Sequence, residues 1–300
     1  MEIRKLKEFV SLAKAQKNKK KIVVAAAHSQ SVLGSVKKAT EMGLVEPILI
    51  GDKTKIKEIA RYISWDISKI ELIAQKDVIK AVTQSVALVK ENKVDILMKG
   101  IVSTKDLLKA VLNKNLGLKE EKILSHIAFF ESPYYHKLFC ITDAAMSITP
   151  DLITKTYMIK NAVNTYIKLG IEKPKVAILA PVEVVNPEME ATVHAALLTQ
   201  MNKRKQIKNC IVDGPLALDN IISKKAATEK GIDSEVAGDA DIIITPDINT
   251  GNVLYKSLNF LGGTSSAALV IGAKVPIVLT SRSDNETTKL MSIALAAAMK

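Results

Sequence analysis

One arginine near the end of the chain stands where anion chemistry is expected. Arg282 comes just after the apolar run 275–279, and it is one of only four arginines among 43 basic residues. The planar guanidinium group of arginine binds phosphate or carboxylate oxygens through two parallel hydrogen bonds, like a rigid fork. The ammonium group of lysine is a point charge on a flexible stem. The position therefore indicates an anion anchor at a strand end. A structural ion pair of Arg282 with Asp284 or Glu286 is an equally good interpretation of the chemistry.

Residues 98–112, MKGIVSTKDLLKAVL, form a second candidate site. A strand and a glycine precede Ser103 and Thr104, and Asp106 lies in the first turn of the predicted helix. An ordinary capped helix explains this spacing, and spacing alone favours it. The functional alternative is an anion site, in which helix N-terminal amides and hydroxyls face a phosphate.

Residues 236–258, VAGDADIIITPDINTGNVLYKSL, form a third candidate. Pro246 and Asp247 end an apolar strand, and the small or polar residues that follow let the backbone of a new helix come close to a ligand. With DGPLALD at 213–219, the segment places two carboxylates and a glycine-rich turn at successive strand ends.

Short runs rich in valine and isoleucine alternate with stretches of helical periodicity, and this order predicts an α/β fold with mostly parallel sheets flanked by helices. In such folds ligands bind beyond the carboxyl ends of the strands. The predicted strands are 21–27, 47–51, 94–100, 137–143, 175–181, 209–215, 240–247, 268–273 and 276–282. Helical spacing is found within 1–20 and over 76–91, 103–113, 151–169, 188–201, 218–230 and 284–299, and TGNVLYK begins a further helix.

Length and composition bound the class of protein. Three hundred residues suit two domains, and 48% hydrophobic with 25% charged residues is a soluble globular balance. A proline-containing break at FFESPYY puts the domain boundary near residue 130. Because no run of about 18 apolar residues and no signal-peptide pattern occurs, we expect a cytoplasmic protein with no membrane partner.

The net charge of +12 fits either a nucleic acid or an anionic small substrate. The lysines are spread along the chain, and aromatic residues make up only 4% of it, so a nucleic-acid partner is not expected. Cys140 and Cys210 stand in apolar, strand-like runs, which predicts buried free thiols and neither a disulfide framework nor a metal site.

Five ordered motifs make the chain recognisable. DGPLALD, SEVAGDADIIITPDINTGNVLYK, LTSRSD, MKGIVSTKDLL and LFCITDAAMSITPD together resemble the phosphate acetyl/butyryltransferase family over about residues 20–299. MKG, SHIAFFE and the SIALAA ending are most similar to its phosphate butyryltransferase branch.

The resemblance implies a two-domain fold of the isocitrate-dehydrogenase-like type, with the active site in the interdomain cleft. The first domain would comprise 1–130 completed by about 278–300, and the second 131–277. Homodimers or larger homo-oligomers are usual in the family.

The implied reaction is reversible acyl transfer, in which acyl-CoA and phosphate give acyl phosphate and CoA within a ternary complex. Coenzyme A is a substrate, and no tightly bound cofactor or metal is implied. Carried over, Ser281 would bind the acyl carbonyl oxygen, and Arg282 would hold phosphate and stabilise charge on that carbonyl. The residues expected to bind substrate are Ser103, Thr104, Lys109, Asp143, Asn252 and Lys256.

Two positions depart from the family's pattern. Acetyl-type members carry an acidic residue six after the arginine, where it takes the proton of the CoA thiol, and this chain has Thr288 there. Asp284 and Glu286 are the nearest substitutes, followed by Asp143, Asp213 and Asp247. On the helix after Ser103 and Thr104, Lys109 replaces a usual arginine, which keeps the charge but loses the fork.

Other interpretations are weaker. A dehydrogenase on the same broad fold lacks support, because no G-x-G-x-x-G follows a strand and no acidic cluster has convincing metal-binding spacing. The acyl group itself is open, since one methylene is worth only about 1–3 kcal/mol of discrimination. The resemblance favours butyryl or a neighbouring short or branched acyl group.

Overall fold

The computed structural model describes residues 2–113, 117–280 and 284–299, and these form alternating helices and strands. The helices are α1 (Lys7–Lys14), α2 (Gln30–Glu41), α3 (Lys53–Tyr62), α4 (Val78–Lys90), α5 (Thr104–Val111), α6 (Leu152–Lys168), α7 (Glu190–Lys203), α8 (Leu218–Ile222), α9 (Lys224–Glu229), α10 (Ile248–Phe260) and α11 (Glu286–Ala298). The strands are β1 (Lys20–Ala25), β2 (Val45–Gly51), β3 (Glu71–Ala74), β4 (Ile96–Lys99), β5 (Ser125–Glu131), β6 (Phe139–Thr142), β7 (Lys175–Leu179), β8 (Ile211–Leu216), β9 (Ile242–Ile244), β10 (Ser265–Ile271) and β11 (Ile277–Val278).

The chain divides into two compact units. Unit 1 comprises Met1–Leu6 and Ser125–Ser266, and unit 2 comprises Lys7–Leu124 and Ala267–Lys300. The domain boundaries expected near 130 and 278, and an active site in a cleft between two domains, stay predictions.

Unit 2 is built on strands in the order β3-β2-β1-β4-β11-β10. All neighbours in this order pair in parallel except β10 and β11, which meet antiparallel at Val270 and Ile277. The apolar stretches of β1 and β4 are buried throughout, as expected for central parallel strands with helices on both faces. Helix α11 packs against α1 and α2, so the last helix of the chain covers this sheet.

Unit 1 carries strands in the order β5-β6-β9-β7-β8. Strands β5 and β6 are antiparallel, and the other neighbours are parallel. The three residues of β9 are all isoleucines with at most 1% exposure, so this short central strand is entirely core.

The α/β prediction is confirmed, and every predicted strand has a counterpart. The predicted helix 218–230 is wrong as one element, because Ser223 leaves the helical conformation and its side chain accepts a hydrogen bond from the Ala226 N–H, which starts α9. The sequence pattern missed α2, α3, β3 and β5. Strand β3 is only partly buried, which removes the apolar run that marks a central strand.

A close contact between two loops shapes the carboxyl edge of unit 2. The Gly100 N–H donates to the Ala25 carbonyl and the Ile101 N–H to the Ala26 carbonyl, each at 2.9 Å. A Cβ on Gly100 would lie 2.2 Å from the Ala26 oxygen and 2.4 Å from the Ala25 oxygen, distances that no side chain tolerates. Ala26 itself has a φ of 56°, a left-handed conformation that is uncommon for a residue with a Cβ.

We expect Gly100→Ala to destabilise the protein, because the added methyl must displace backbone rather than a flexible side chain. The loss should be about 1–3 kcal/mol, the range of overpacking changes. Thermal unfolding by circular dichroism measures it. The matched control is Gly262→Ala, whose nearest neighbour would be the Leu258 oxygen at 3.0 Å and which should lose less. Equal transition temperatures for the two variants would contradict the tight contact at Gly100.

Candidate active site

A cavity opens at the carboxyl edge of the sheet in unit 2, where β1, β4 and β11 end side by side. Its volume is about 390 Å³, within the usual range of small-molecule sites. Parallel strands bring their carboxyl ends to one edge, which is why loops distant in sequence meet here. The lining residues are Ser29, Ser31, Val32, Lys99, Gly100, Ile101, Thr280 and Lys289.

Two lysines in this lining are buried. Lys99, the last residue of β4, is 6% exposed, and Lys289, in the first turns of α11, is 2% exposed. The Lys99 ammonium donates to the carbonyls of Gly100 (3.4 Å) and Val102 (3.3 Å). The Lys289 ammonium donates to the Asp284 carbonyl. Burial lowers the pKa of Lys289, although the carboxylates of Asp284 and Glu286 act in the opposite direction.

The start of α5 has the geometry of a capped helix. The Ser103 hydroxyl accepts from the Asp106 N–H at 3.0 Å and donates to the Asp106 carboxylate at 2.6 Å. Ser103, Thr104 and Lys109 are all exposed. The capping interpretation of this turn is therefore confirmed as local structure, while the role of these three residues in substrate binding stays a prediction.

The two candidate bases near the end of the chain lie in different surroundings. The Glu286 carboxylate pairs with the Lys38 ammonium of α2 at 2.8 Å and lies over Gly34, so it joins α11 to α2. Asp284 instead holds the Lys289 ammonium through its carbonyl, beside the cavity. Ser281 and Arg282, the two principal catalytic predictions, lie outside the described residues.

In unit 1, the predicted substrate residue Asp143 is held within the fold. It follows β6 and is 1% exposed, and its carboxylate accepts from the backbone N–H groups of His126, Ala145 and Met146 at 2.8–3.1 Å. Burial raises the pKa of Asp143, although His126 and these three hydrogen bonds favour the charged form. The carboxylate thus fixes the turn that follows β6.

The start of α10 packs against the same turn. The Asn252 amide donates to the Ala144 carbonyl at 3.2 Å. A Cβ on Gly251 would lie 2.2 Å from the Asp143 carbonyl oxygen, so glycine lets the helix approach backbone, where the sequence had suggested approach to a ligand. Lys256 is exposed further along α10. Substrate contacts of Asn252 and Lys256 stay predictions.

A larger, mostly apolar cavity of about 770 Å³ lies at the carboxyl edge of unit 1. It opens where β7, β8 and β9 end and where α10 begins, and its walls include Pro181, Leu218, Val253 and Leu254. Some of its walls lie in the candidate segments 213–219 and 236–258, but none of its lining residues was predicted to bind substrate.

Lys99 and Lys289, which line the cavity of unit 2, are not among the predicted site residues. The sequence did contain an indication of each. Lys99 ends a strand that is otherwise apolar, and Lys289 is the only charged residue that follows Glu286 in the apolar helix α11. Lys99 and Lys289 lie close in the chain to the predicted residues Ser103, Thr104 and Asp284.

Within the described ranges, no helix is long and apolar enough to cross a membrane. The same ranges hold no group of three or more histidine, cysteine, aspartate or glutamate side chains arranged for a metal ion.

Mostly parallel sheets with a cationic cavity at a carboxyl edge are typical of an α/β enzyme that acts on an anionic substrate. The chain matches the phosphate acetyl/butaryl transferase family over residues 6–81 and 71–297, and it belongs to that family.

Similar proteins align with more than nine-tenths of the chain. The chain is 46% identical over 278 residues to a phosphate butyryltransferase of Clostridium beijerinckii, covering 93% of this chain and 92% of that one. It is 42% identical over 294 residues to a phosphate acetyltransferase of Thermotoga maritima, covering 97% and 98%. The crystal structure of a branched-chain phosphotransacylase from Enterococcus faecalis V583 matches with a TM-score of 0.82 and 34% identity, covering 93% and 98%.

We expect both cysteine thiols to be unreactive and to take no part in catalysis. Both thiols are buried, and burial raises the pKa of Cys210 to about 12 and that of Cys140 well above its usual value. Because the thiolate is the reactive form, Ellman's reagent should not modify the native protein at pH 8 but should titrate both thiols after unfolding. The Cys140→Ala/Cys210→Ala variant should keep its turnover rate. An acylated cysteine trapped by mass spectrometry during turnover would overturn this expectation.

Proposed function

We propose that this protein moves a short-chain acyl group reversibly between coenzyme A and inorganic phosphate, by direct transfer in a ternary complex. Family membership makes it a phosphate acyltransferase. The observation that carries the finer proposal is the cavity in unit 2. Its described lining includes two buried lysines and Thr280, the residue directly before Ser281 and Arg282 in the sequence.

In the direction of acyl phosphate synthesis, a phosphate oxygen attacks the thioester carbonyl carbon. The carbon–sulfur bond breaks, and CoA leaves as a thiolate that takes up a proton. Negative charge builds on the carbonyl oxygen during attack, and donors held in place before reaction stabilise it best. Ser281 and Arg282 are our candidates for these donors, with Arg282 also holding the phosphate.

The reverse direction needs a base for the CoA thiol, since the position that is acidic in the acetyl-type members is Thr288 here. Asp284 is the better supported candidate, because its backbone holds a lysine of the cavity wall, whereas the Glu286 carboxylate is already paired with Lys38.

The acyl group is proposed as butyryl or a close neighbour. The relatives are named for butyryl and acetyl groups, and the matching crystal structure for branched-chain acyl groups. Pocket differences that separate such groups involve one or two methylenes, each worth about 1–3 kcal/mol.

The proposal includes coenzyme A as a substrate rather than a bound cofactor, a cytoplasmic location and a homodimer or larger assembly. Exposed apolar side chains support self-association. Val253 and Phe260 lie seven residues apart on α10, and they are 64% and 68% exposed, with Leu261 next to them at 86%. Clusters of exposed apolar side chains commonly mark protein interfaces.

A CoA-release assay tests the proposed reaction and its specificity together. Acetyl-, propionyl-, butyryl- and isobutyryl-CoA are compared in phosphate buffer, with acyl phosphate trapped as the hydroxamate. We expect phosphate-dependent release, fastest with butyryl-CoA or a neighbouring substrate. Release without acyl phosphate, or no release from any of the four, would refute the function.

Arg282→Lys separates charge from geometry at the proposed anchor. The variant keeps the positive charge and loses the planar fork, so we expect a folded protein whose transfer rate falls roughly 10²-fold or more, the scale of one oxyanion donor. Weaker phosphate saturation should accompany the loss, with CoA binding nearly intact. Near-normal turnover with ordinary phosphate dependence would favour a structural ion pair instead.

For the base, Asp284→Asn and Glu286→Gln keep shape and remove the proton acceptor. We expect Asp284→Asn to lose about 10²–10⁴-fold in rate with little change in CoA affinity, the scale of general-base catalysis. Glu286→Gln should lose less. Full activity in both variants would move the base to Asp143, Asp213 or Asp247.

A further inference from the structure

Two cationic side chains line the cavity of unit 2, and the mechanism proposed above gives neither of them a contact with substrate. We propose that Lys99 and Lys289 form a phosphate-binding pair, which holds inorganic phosphate or the phosphoryl end of the acyl phosphate inside this cavity. The inference rests on the proposed acyl transfer and deepens it.

The two lysines come from separate elements that the fold brings to one edge. Lys99 ends β4, and Lys289 lies in α11, whose first turns follow the neighbouring strand β11. At 6% and 2% exposure, both are far more buried than lysine usually is, since its ammonium group is strongly hydrated. Two ammonium groups that line one small cavity form a local positive site.

The charge of the cavity wall suits an anion. Among the described lining residues none is aspartate or glutamate, and the only charged ones are Lys99 and Lys289. Carbonyl oxygens of Gly100, Val102 and Asp284 orient the two ammonium groups without cancelling their formal charges. A phosphate dianion in this cavity would interact favourably with both ammonium groups at once.

The carboxylates near Lys289 do not neutralise the positive charge of the cavity lining. Asp284 and Glu286 favour its protonated form, and the Glu286 carboxylate is itself paired with Lys38 on α2. Neither acidic residue lines the cavity. The hydroxyls of Ser29, Ser31 and Thr280 do lie in the lining, and hydroxyls are suitable donors to phosphate oxygens.

The place of the cavity in the fold favours binding of the phosphate that receives the acyl group over binding of the phosphates of CoA. The described lining includes Thr280, which directly precedes in the sequence the Ser281-Arg282 pair at which we propose that the acyl carbonyl reacts. The volume of about 390 Å³ accepts a phosphate together with a short acyl group. Lys289 also fixes the backbone of Asp284, so one side chain would position both the phosphate and the proposed base.

Lys99→Met and Lys289→Met test the proposal, since methionine has nearly the shape of lysine without its charge. The matched control is Lys57→Met, which removes one charge from an exposed position of α3 in the same unit. Steady-state kinetics should show the KM for phosphate raised about 10- to 100-fold in each cavity variant, the scale of one charge-assisted hydrogen bond. The KM for acyl-CoA should stay nearly unchanged, and Lys57→Met should match the wild type.

Two kinetic outcomes would overturn the proposal. A raised KM for acyl-CoA with normal phosphate dependence would assign the lysines to phosphates of CoA, and unchanged values for both substrates would leave the pair without a ligand. Calorimetric titration of the substrate-free protein with inorganic phosphate separates this inference from the proposed function. Phosphate binding that both cavity variants lose supports the pair even if no acyl-CoA releases CoA, whereas an active enzyme with normal variants refutes the pair alone.

A measurement on the wild-type protein covers the case in which a variant does not fold. Reductive methylation is followed by mass spectrometry with and without phosphate. Phosphate should slow modification of Lys99 and Lys289 and leave Lys57 unaffected. If phosphate left the modification rates of Lys99 and Lys289 unchanged, as it should for Lys57, the proposed site would be contradicted.

Discussion

The burial of two ammonium groups at one edge of a sheet is the constraint on which the site in unit 2 depends. An ammonium group loses its hydration when it is buried, and the protein returns part of that loss through carbonyl dipoles. At Lys99 and Lys289 these dipoles come from Gly100, Val102 and Asp284. We propose that a bound phosphate adds to this compensation, because its negative charge attracts both ammonium groups.

Contacts between neighbouring elements position the residues at that edge. Gly100 lets the loop after β4 lie directly on the loop after β1, at a distance no other residue would allow. Glu286 pairs with Lys38 and so fixes the start of α11, the helix that carries Lys289. The packing of α11 on α1 and α2 then fixes the direction in which Lys289 enters the lining. Fold and site are therefore coupled through the last helix of the chain.

Much of this could be predicted from sequence, because strands buried on both faces leave continuous apolar runs. Those runs identified the central strands of both units and the strand ends where polar residues gather. The edge strand β3 escaped because it is half-exposed and has no such run. The motifs identified the family because several of them occur in fixed order, which chance similarity does not reproduce.

The site was less predictable because its contacts join distant parts of the chain. The pairing of Glu286 with Lys38 spans 248 positions, and nothing local to either residue indicates it. The burial of Lys289 likewise depends on which face of α11 meets the sheet. The interpretation of Gly251 changed for the same reason, since its close neighbour is the backbone of Asp143 in another element. Tertiary packing, which periodicity does not encode, decided each of these cases.

The most direct test of the phosphate site is a crystal structure of the protein grown in inorganic phosphate, with sulfate and other oxyanions excluded. We expect tetrahedral density in the cavity of unit 2, within hydrogen-bonding distance of both the Lys99 and the Lys289 Nζ atoms. Density for phosphate elsewhere at high occupancy, with water alone between these two lysines, would contradict it.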